Sequence, residues 1–304
     1  MASQIEAYSA LPSVSSAHSH RDFDGRRAPI LSVAQGAPFR LEARSLLQSA
    51  TDEVPQTYEK VVIPITGPVA IEGAVPGDTL RIDVLDVTIA NFGAMVTLPG
   101  YGAFGAELAA SGRVLRIDEG MINFAPGVSL PVCPMVGKLG VGRASDPPRS
   151  NTVGAHGGNM DNTALRAGAS LFVPVSVAGA AVYAGDLHAR QADGEACLTG
   201  VEVSGVVTLR CQVVKFSVDQ PVLINERSVM TIGHGESFET AASLALESMV
   251  SLLRQVYPWS REEAAMFLSI SGDVRVCQLV NPRVGAKVII PREYLPLSFL
   301  SDQP

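Results

Sequence analysis

Basic charge, paired cysteines and long apolar runs are all scarce in this 304-residue sequence. Lys and Arg number 23 against 30 Asp and Glu, for a net charge of −7. No basic stripe is available to neutralise phosphates, which argues against a nucleic-acid partner and against an anionic membrane surface. Four cysteines occur, Cys133, Cys197, Cys211 and Cys277, with no CxxC pair among them. That spacing suits neither a zinc knuckle nor a dense disulfide framework, so they read as reduced core residues. No apolar run approaches the ~20 residues needed to span a bilayer. Met1 to Ser16 lack the apolar stretch of a secretory leader, so the expectation is a soluble, cytoplasmic protein. The serine elbow GxSxG, a Ser-Ser-Lys arrangement, GxGxxG and GxxxxGK[ST] are missing too. For a hydrolase, these absences favour water activated by a metal over a covalent serine.

What is abundant is turn-forming residue and apolar side chain: 28 Gly, 20 Pro and 47% hydrophobic residues. Together they predict a large core built from many short strands. Strands are expected at Pro29–Val33, Phe39–Ala43, Val61–Pro64, Val69–Ile71 and Thr79–Val87. In the last of these Leu80, Ile82 and Val84 alternate with polar residues, the period of a half-buried strand. Without strand–helix alternation, a jelly-roll-like β-sandwich or barrel is favoured over a doubly wound fold. The last third differs. From Glu236 to Val256 the apolar residues recur at helical period, and Ser260-Arg261-Glu262-Glu263 is a capping box that opens a second helix to about Ser269. Val274–Val280 and Lys287–Ile290 then read as strands. The expected organisation is an irregular segment 1–19, a β-rich body 20–215 carrying the polar motifs, and an α+β portion 216–304 whose two helices pack on strands.

Two segments are too polar and too rich in glycine to be plain core: Gly154-Ala155-His156-Gly157-Gly158-Asn159-Met160-Asp161 and Gly185-Asp186-Leu187-His188-Ala189-Arg190-Gln191-Ala192-Asp193-Gly194-Glu195. The apolar stretches Ser170–Val177 and Gly179–Tyr183 between them suggest a buried, hairpin-like scaffold. Residues two apart on a strand share a face, so Asp186 pairs with His188, and Asn159 with Asp161. A carboxylate and an imidazole on one face form half of a site for zinc or another divalent metal. Asp-x-His alone equally describes a solvated strand face. The density of Asp161, Asp186, His188, Asp193 and Glu195 within 35 residues is what favours a site. His20, in a stretch of mixed imidazoles and carboxylates, is a further candidate ligand or part of a solvated terminus. His234, between two glycines, could cap the loop before the long helix. Glu72 is either an edge-exposed charge or a buried base. Pro99-Gly100-Tyr101-Gly102-Ala103-Phe104-Gly105 is either an ordinary surface loop or a roof over the site.

The runs Gly67-Pro68-Val69-Ala70-Ile71-Glu72-Gly73-Ala74-Val75-Pro76-Gly77-Asp78, His156-Gly157-Gly158-Asn159-Met160-Asp161 and Gly185-Asp186-Leu187-His188-Ala189-Arg190-Gln191-Ala192-Asp193-Gly194-Glu195 resemble the acetamidase/formamidase family in content, order and separation. The resemblance runs from about residue 20 to 295. It implies a β-rich fold and hydrolysis of a short aliphatic amide to acid and ammonia. It also implies zinc or a similar divalent ion, and a homo-oligomer of two or more chains. Carried over by motif, Asp161, Asp186 and His188 become ligand candidates, and Glu195 and Glu72 candidates for the general base. The Asn159 amide becomes a stabiliser of the oxyanion. Where the family tends to place a Trp-Asp pair after its N-terminal histidine, this chain has Phe23-Asp24. Two other readings stay open at this point: hydrolysis of a lactam or cyclic imide, and a β-sandwich that binds without turnover.

Overall fold

Strand-period and helix-period segments separate in space as they do along the chain. The protein is described here by a computed structural model covering residues 8–295. Nine strands form one sheet, in the order Ser13–Val14, Pro38–Ala43, Gly205–Val214, Thr79–Ile89, Ser170–Pro174, Val222–Ile224, Ser228–Gly235, Val284–Pro291 and Asp273–Gln278. A second sheet is built around Val182–His188. That strand is flanked on one side by Met135–Val141. On its other side Ile65–Ile71 pairs with its first half and Glu202–Val203 with its end. The fold is thus mainly β, two packed sheets with the longer helices near the C-terminus, as composition and turn spacing suggest.

The two sheets meet through alternating apolar side chains. Leu41, Leu80, Ile82, Leu171 and Leu209 from the first pack against Val136, Leu139, Val182 and Leu187 from the second. Each such side chain contributes roughly 1.5–3 kcal/mol when fully buried. The first sheet does not stop at residue 215. Its last four strands carry on past the sandwich, and there the Phe238–Val256 and Arg261–Ser271 helices cover it. Met249, Leu253 and Leu268 pack on Val229, Val288 and Ile290. The longer helix starts where the Ser237 hydroxyl accepts the Thr240 N–H at 3.2 Å, a cap worth about 1 kcal/mol. It ends before Pro258, which forces Tyr257 into extended backbone. The expected capping box is present at Ser260 and Glu263.

Two local expectations are corrected. The Val61–Pro64 run is not a strand: Tyr58–Val61 is one helical turn, and a short apolar run cannot by itself tell helix from strand. Ser170–Pro174 and Val182–His188 do not form a hairpin. The first pairs with Thr79–Ile89 and Val222–Ile224 in one sheet, the second lies in the other, and residues 175–181 cross between them. Among the described residues, no helix is long and apolar enough to cross a membrane.

A candidate metal-binding active site

Four carboxylates and one imidazole meet where the second sheet is buried deepest. Asp186 and His188 lie at the end of the central Val182–His188 strand, Asp161 follows the Gly157–Asn159 strand, and Glu195 sits on the turn after residue 191. Glu202 faces His188 as its cross-strand partner. All five are buried, at 1–7% exposure. Potential ligand atoms of Asp161, Asp186 and His188 lie within 4.8 Å of one another, and so do those of His188, Glu195 and Glu202. A cleft of about 30 Å3 opens onto the group. Its lining combines polar groups, among them Lys138, Asn159, Asp161, Asp186, Glu195 and Glu202, with Tyr58, Val61, Val62 and Leu198.

The backbone is bent to bring these groups together. Asp161, Asp186 and Glu195 all have positive φ, at 45°, 60° and 48°. Strain of this kind persists where surrounding structure holds it, typically at functional sites. Gly137 lies opposite Asp186 and has to be glycine. A Cβ there would stand 2.6 Å from Asp161 Oδ1 and 2.8 Å from Asp186 Oδ2. The C-terminal strands lock the outer parts of both motifs. Lys287 Nζ donates to Asp193 Oδ1 at 2.7 Å and to Asn162 Oδ1 at 3.2 Å, and Thr163 Oγ1 donates to the same Asp193 oxygen.

Hydrogen bonds around the group leave specific atoms free. Gln191 Nε2 donates to the Asp161 carbonyl at 2.8 Å, which turns Gln191 Oε1 toward His188 Nδ1, 2.7 Å away. Nδ1 therefore carries a proton, and Nε2 faces the carboxylates. Asn281 Nδ2 donates to Asp161 Oδ2 at 3.0 Å. Asp161 Oδ1, His188 Nε2 and Glu202 Oε2 then have no hydrogen-bond partner. His188 Nε2 and Glu202 Oε2 approach to 3.1 Å, but they are not aligned as donor and acceptor. Buried polar atoms without partners are costly unless something else satisfies them, and a cation is the kind of partner these three atoms would take.

Electrostatics agrees with the geometry. Burial, with Asp186 close by, pushes Asp161 up to about 7. Burial alone would raise Asp186 too, but the Lys138 ammonium, 3.4 Å away, and His188 pull it down to about 2. Burial and the Asp161 charge lift Glu195 well above the carboxylate range, and burial also raises Glu202. Burial would lower His188, yet Glu202 and Asp186 outweigh it and raise the imidazole well above its usual value. The group therefore concentrates negative potential at one point, where either a proton on His188 or a metal cation is favoured.

Two sequence candidates stand apart. Glu72 is exposed at the end of the Ile65–Ile71 strand, within reach of the Ser32 hydroxyl, and does not line the cleft. Of its two readings, the edge-exposed charge is the one the fold displays. His20 is half-buried, pairs with Ile65, and turns its ring edge to Tyr183 at 6.2 Å; it does not line the cleft either. His234, on the Ser228–Gly235 strand, meets Arg283 at 3.2 Å and is also absent from the lining. Glu202, Lys138 and Asn281 were not singled out by sequence reasoning. Glu202 between Val201 and Val203, and Lys138 in the run Met135–Val141, are lone charges in otherwise apolar strands, and that was the available signal.

His156 lies outside the cleft lining. It packs edge-on against Phe23 at 4.8 Å, and burial drives its pKa down to about 3. The unfolded chain binds a proton near pH 6.5 that the fold refuses until about pH 3. This part of the stability is therefore complete above pH 6.5 and is lost as pH falls toward 3, by up to about 1.4 kcal/mol per unit. Urea midpoints at pH 7 and pH 5 should differ by more in the wild type than in His156→Leu. Equal differences in the two proteins would remove His156 from the acid sensitivity.

Comparison with known proteins places the fold. Residues 143–295 match the sequence pattern of the Acetamidase/Formamidase family. A predicted acetamidase/formamidase of the thermophile Thermoanaerobacter tengcongensis superposes with a TM-score of 0.90 at 33% identity, over 94% of this chain and 97% of that one. The acetamidase of Bacillus halodurans does so with a TM-score of 0.89 at 34% identity, over 93% and 98%. A Schizosaccharomyces pombe protein assigned as a formamidase is 43% identical over 61 residues, a stretch that spans 20% of this chain and 15% of that protein. Fold, matched pattern and near full-length likeness agree: this chain belongs to the acetamidase/formamidase family of amidohydrolases.

Proposed function

We propose that this protein hydrolyses the C–N bond of a short linear aliphatic amide, releasing acid and ammonia, with a divalent cation at the buried acidic cluster. The observation that carries the reading is the set of buried atoms without partners, Asp161 Oδ1, His188 Nε2 and Glu202 Oε2, in two ligand groups that share His188 beside a cleft. Asp161, Asp186 and His188 would hold the cation, with Glu202 beside them. Carboxylate oxygens plus one imidazole nitrogen are a donor set suited to zinc or a similar divalent ion. Such an ion, when bound, supplies Lewis-acid polarisation of a carbonyl and lowers the pKa of water.

The chain's own residues do the rest. Glu195 takes the proton from the attacking water as the C–O bond forms, and returns it to the nitrogen as the C–N bond breaks. Burial beside the Asp161 charge raises its pKa, which makes the carboxylate a stronger proton acceptor than an exposed one. Its other role is fixed: Oε1 accepts the Gly200 N–H at 2.9 Å, which holds the carboxyl toward the cleft. Negative charge building on the carbonyl oxygen would be repelled by four carboxylates. Lys138 Nζ, anchored at 2.8 Å on the Ile63 carbonyl, and the Asn159 amide are the cleft-lining groups that can receive it. Gln191 and Asn281 orient His188 and Asp161, as outer partners do at metal centres. Ammonia release from a panel of short amides tests the reading; a protein that binds these amides without releasing ammonia would refute it.

A further inference from the structure

The cleft lining holds two kinds of side chain, and only the polar ones are used by the chemistry above. An amide R–CO–NH2 presents its two polar ends to those groups and leaves R for the apolar ones. Of these, Tyr58, Val61 and Leu198 belong to one apolar cluster. The Tyr58 ring is clamped from two directions. Its hydroxyl accepts a hydrogen bond from Asn151 at 3.2 Å, and its face stacks on Tyr101, with centroids 4.3 Å apart and planes 8° from parallel. Leu198 is held in a backbone conformation that a leucine rarely adopts, φ 115°, and is 6% exposed. The base-bearing turn fixes it, since its N–H donates to the Glu195 carbonyl at 3.0 Å. Strain at a bulky residue lining a reaction cleft indicates that its placement is imposed by the surrounding structure.

The Tyr101 loop is fastened to that same turn. Ala103 N–H donates to the Ala196 carbonyl at 2.8 Å. Gly102 lies so close that a Cβ would stand 2.9 Å from that carbonyl oxygen. The loop, the stacked ring pair and the turn that carries Glu195 therefore form one connected rim.

We propose that Tyr58 and Leu198 form the acyl-binding wall of this site and set the largest acyl group it accepts, with Tyr101 a positioning residue that holds the Tyr58 ring. This rests on the amidase reading. A cleft of about 30 Å3 has room for little beyond the amide itself, so the wall admits a short alkyl group and rejects a longer one. Burying one methyl against it favours acetamide over formamide by about fourfold. Each methylene beyond the wall costs about tenfold or more.

The test is kcat/KM of the metal-loaded protein for formamide, acetamide, propionamide and butyramide, in the wild type, Tyr58→Ala, Leu198→Ala, Leu198→Gly and Tyr101→Ala. Leu198→Gly covers the chance that the alanine variant fails to fold, because glycine adopts the φ of 115° without steric cost, and Tyr101 is exposed enough to be replaced safely. The expected result is a rise of about tenfold or more in the butyramide-to-acetamide ratio for Tyr58→Ala, Leu198→Ala and Leu198→Gly. Tyr101→Ala should move the ratio the same way by less. An unchanged ratio across all the folded variants overturns the wall, even where absolute rates fall. Should the wild type release ammonia from none of the four, the amidase reading fails by itself. The wall is then read by calorimetric binding of butyramide, where tighter binding to Leu198→Ala or Leu198→Gly supports it and equal binding overturns it.

Discussion

Glu195→Gln lowers kcat for amide hydrolysis by about 10²–10⁴-fold and leaves KM and bound metal essentially unchanged. Gln reproduces the shape of a protonated carboxyl, and its amide oxygen can still accept the Gly200 N–H. The variant therefore folds, and its thermal midpoint equals or exceeds that of the wild type, because the buried side chain can no longer ionise beside three other carboxylates. The loss corresponds to about 3–5 kcal/mol of transition-state stabilisation, the size expected of a proton-transfer residue rather than of a packing defect. Steady-state kinetics with elemental analysis of the same preparation reads both quantities. Turnover within a few-fold of the wild type would remove Glu195 from the proton-transfer role.

His188→Ala acts on the cation and on the rate together. The substitution removes the imidazole nitrogen shared by both ligand groups and leaves Gln191 Oε1 without its partner. Outer partners of a metal ligand are each worth 10–100-fold in affinity, so loss of the ligand itself should weaken retention by more than about a hundredfold. The two variants dissociate the roles: Glu195→Gln keeps the ion and loses the rate, and His188→Ala loses both. A fully loaded His188→Ala protein would show that the imidazole is not a ligand.

Local pattern made much of this legible from the sequence. The long helix and the capping box depend on spacings within one or two turns, and both are found close to their expected bounds. Asp186 and His188 do share a side, 3.7 Å apart, although Asp186 reaches it through a positive φ rather than by simple strand alternation. What stayed hidden depends on register between distant strands. Glu202 meets His188 because Glu202–Val203 pairs with the end of the central strand, and no local period encodes that pairing. Lys138 enters the site from a strand that is buried along its whole length, and Asn281 from a loop of the C-terminal portion. Glu72 and His20 were drawn in by residue type within or near matching motifs, whereas burial and pairing place both outside the cleft lining. The Tyr101 loop is the opposite case. Its glycines read equally as surface or roof, and the stack on Tyr58 ties it to the cleft.

Ammonia release from acetamide, by protein stripped of metal and then resupplied with a divalent cation, is the most direct measurement of whether the buried acids act through an ion. The expected result is a fall of at least about a hundredfold on stripping and recovery on return of the ion. Undiminished turnover by metal-free protein would contradict it.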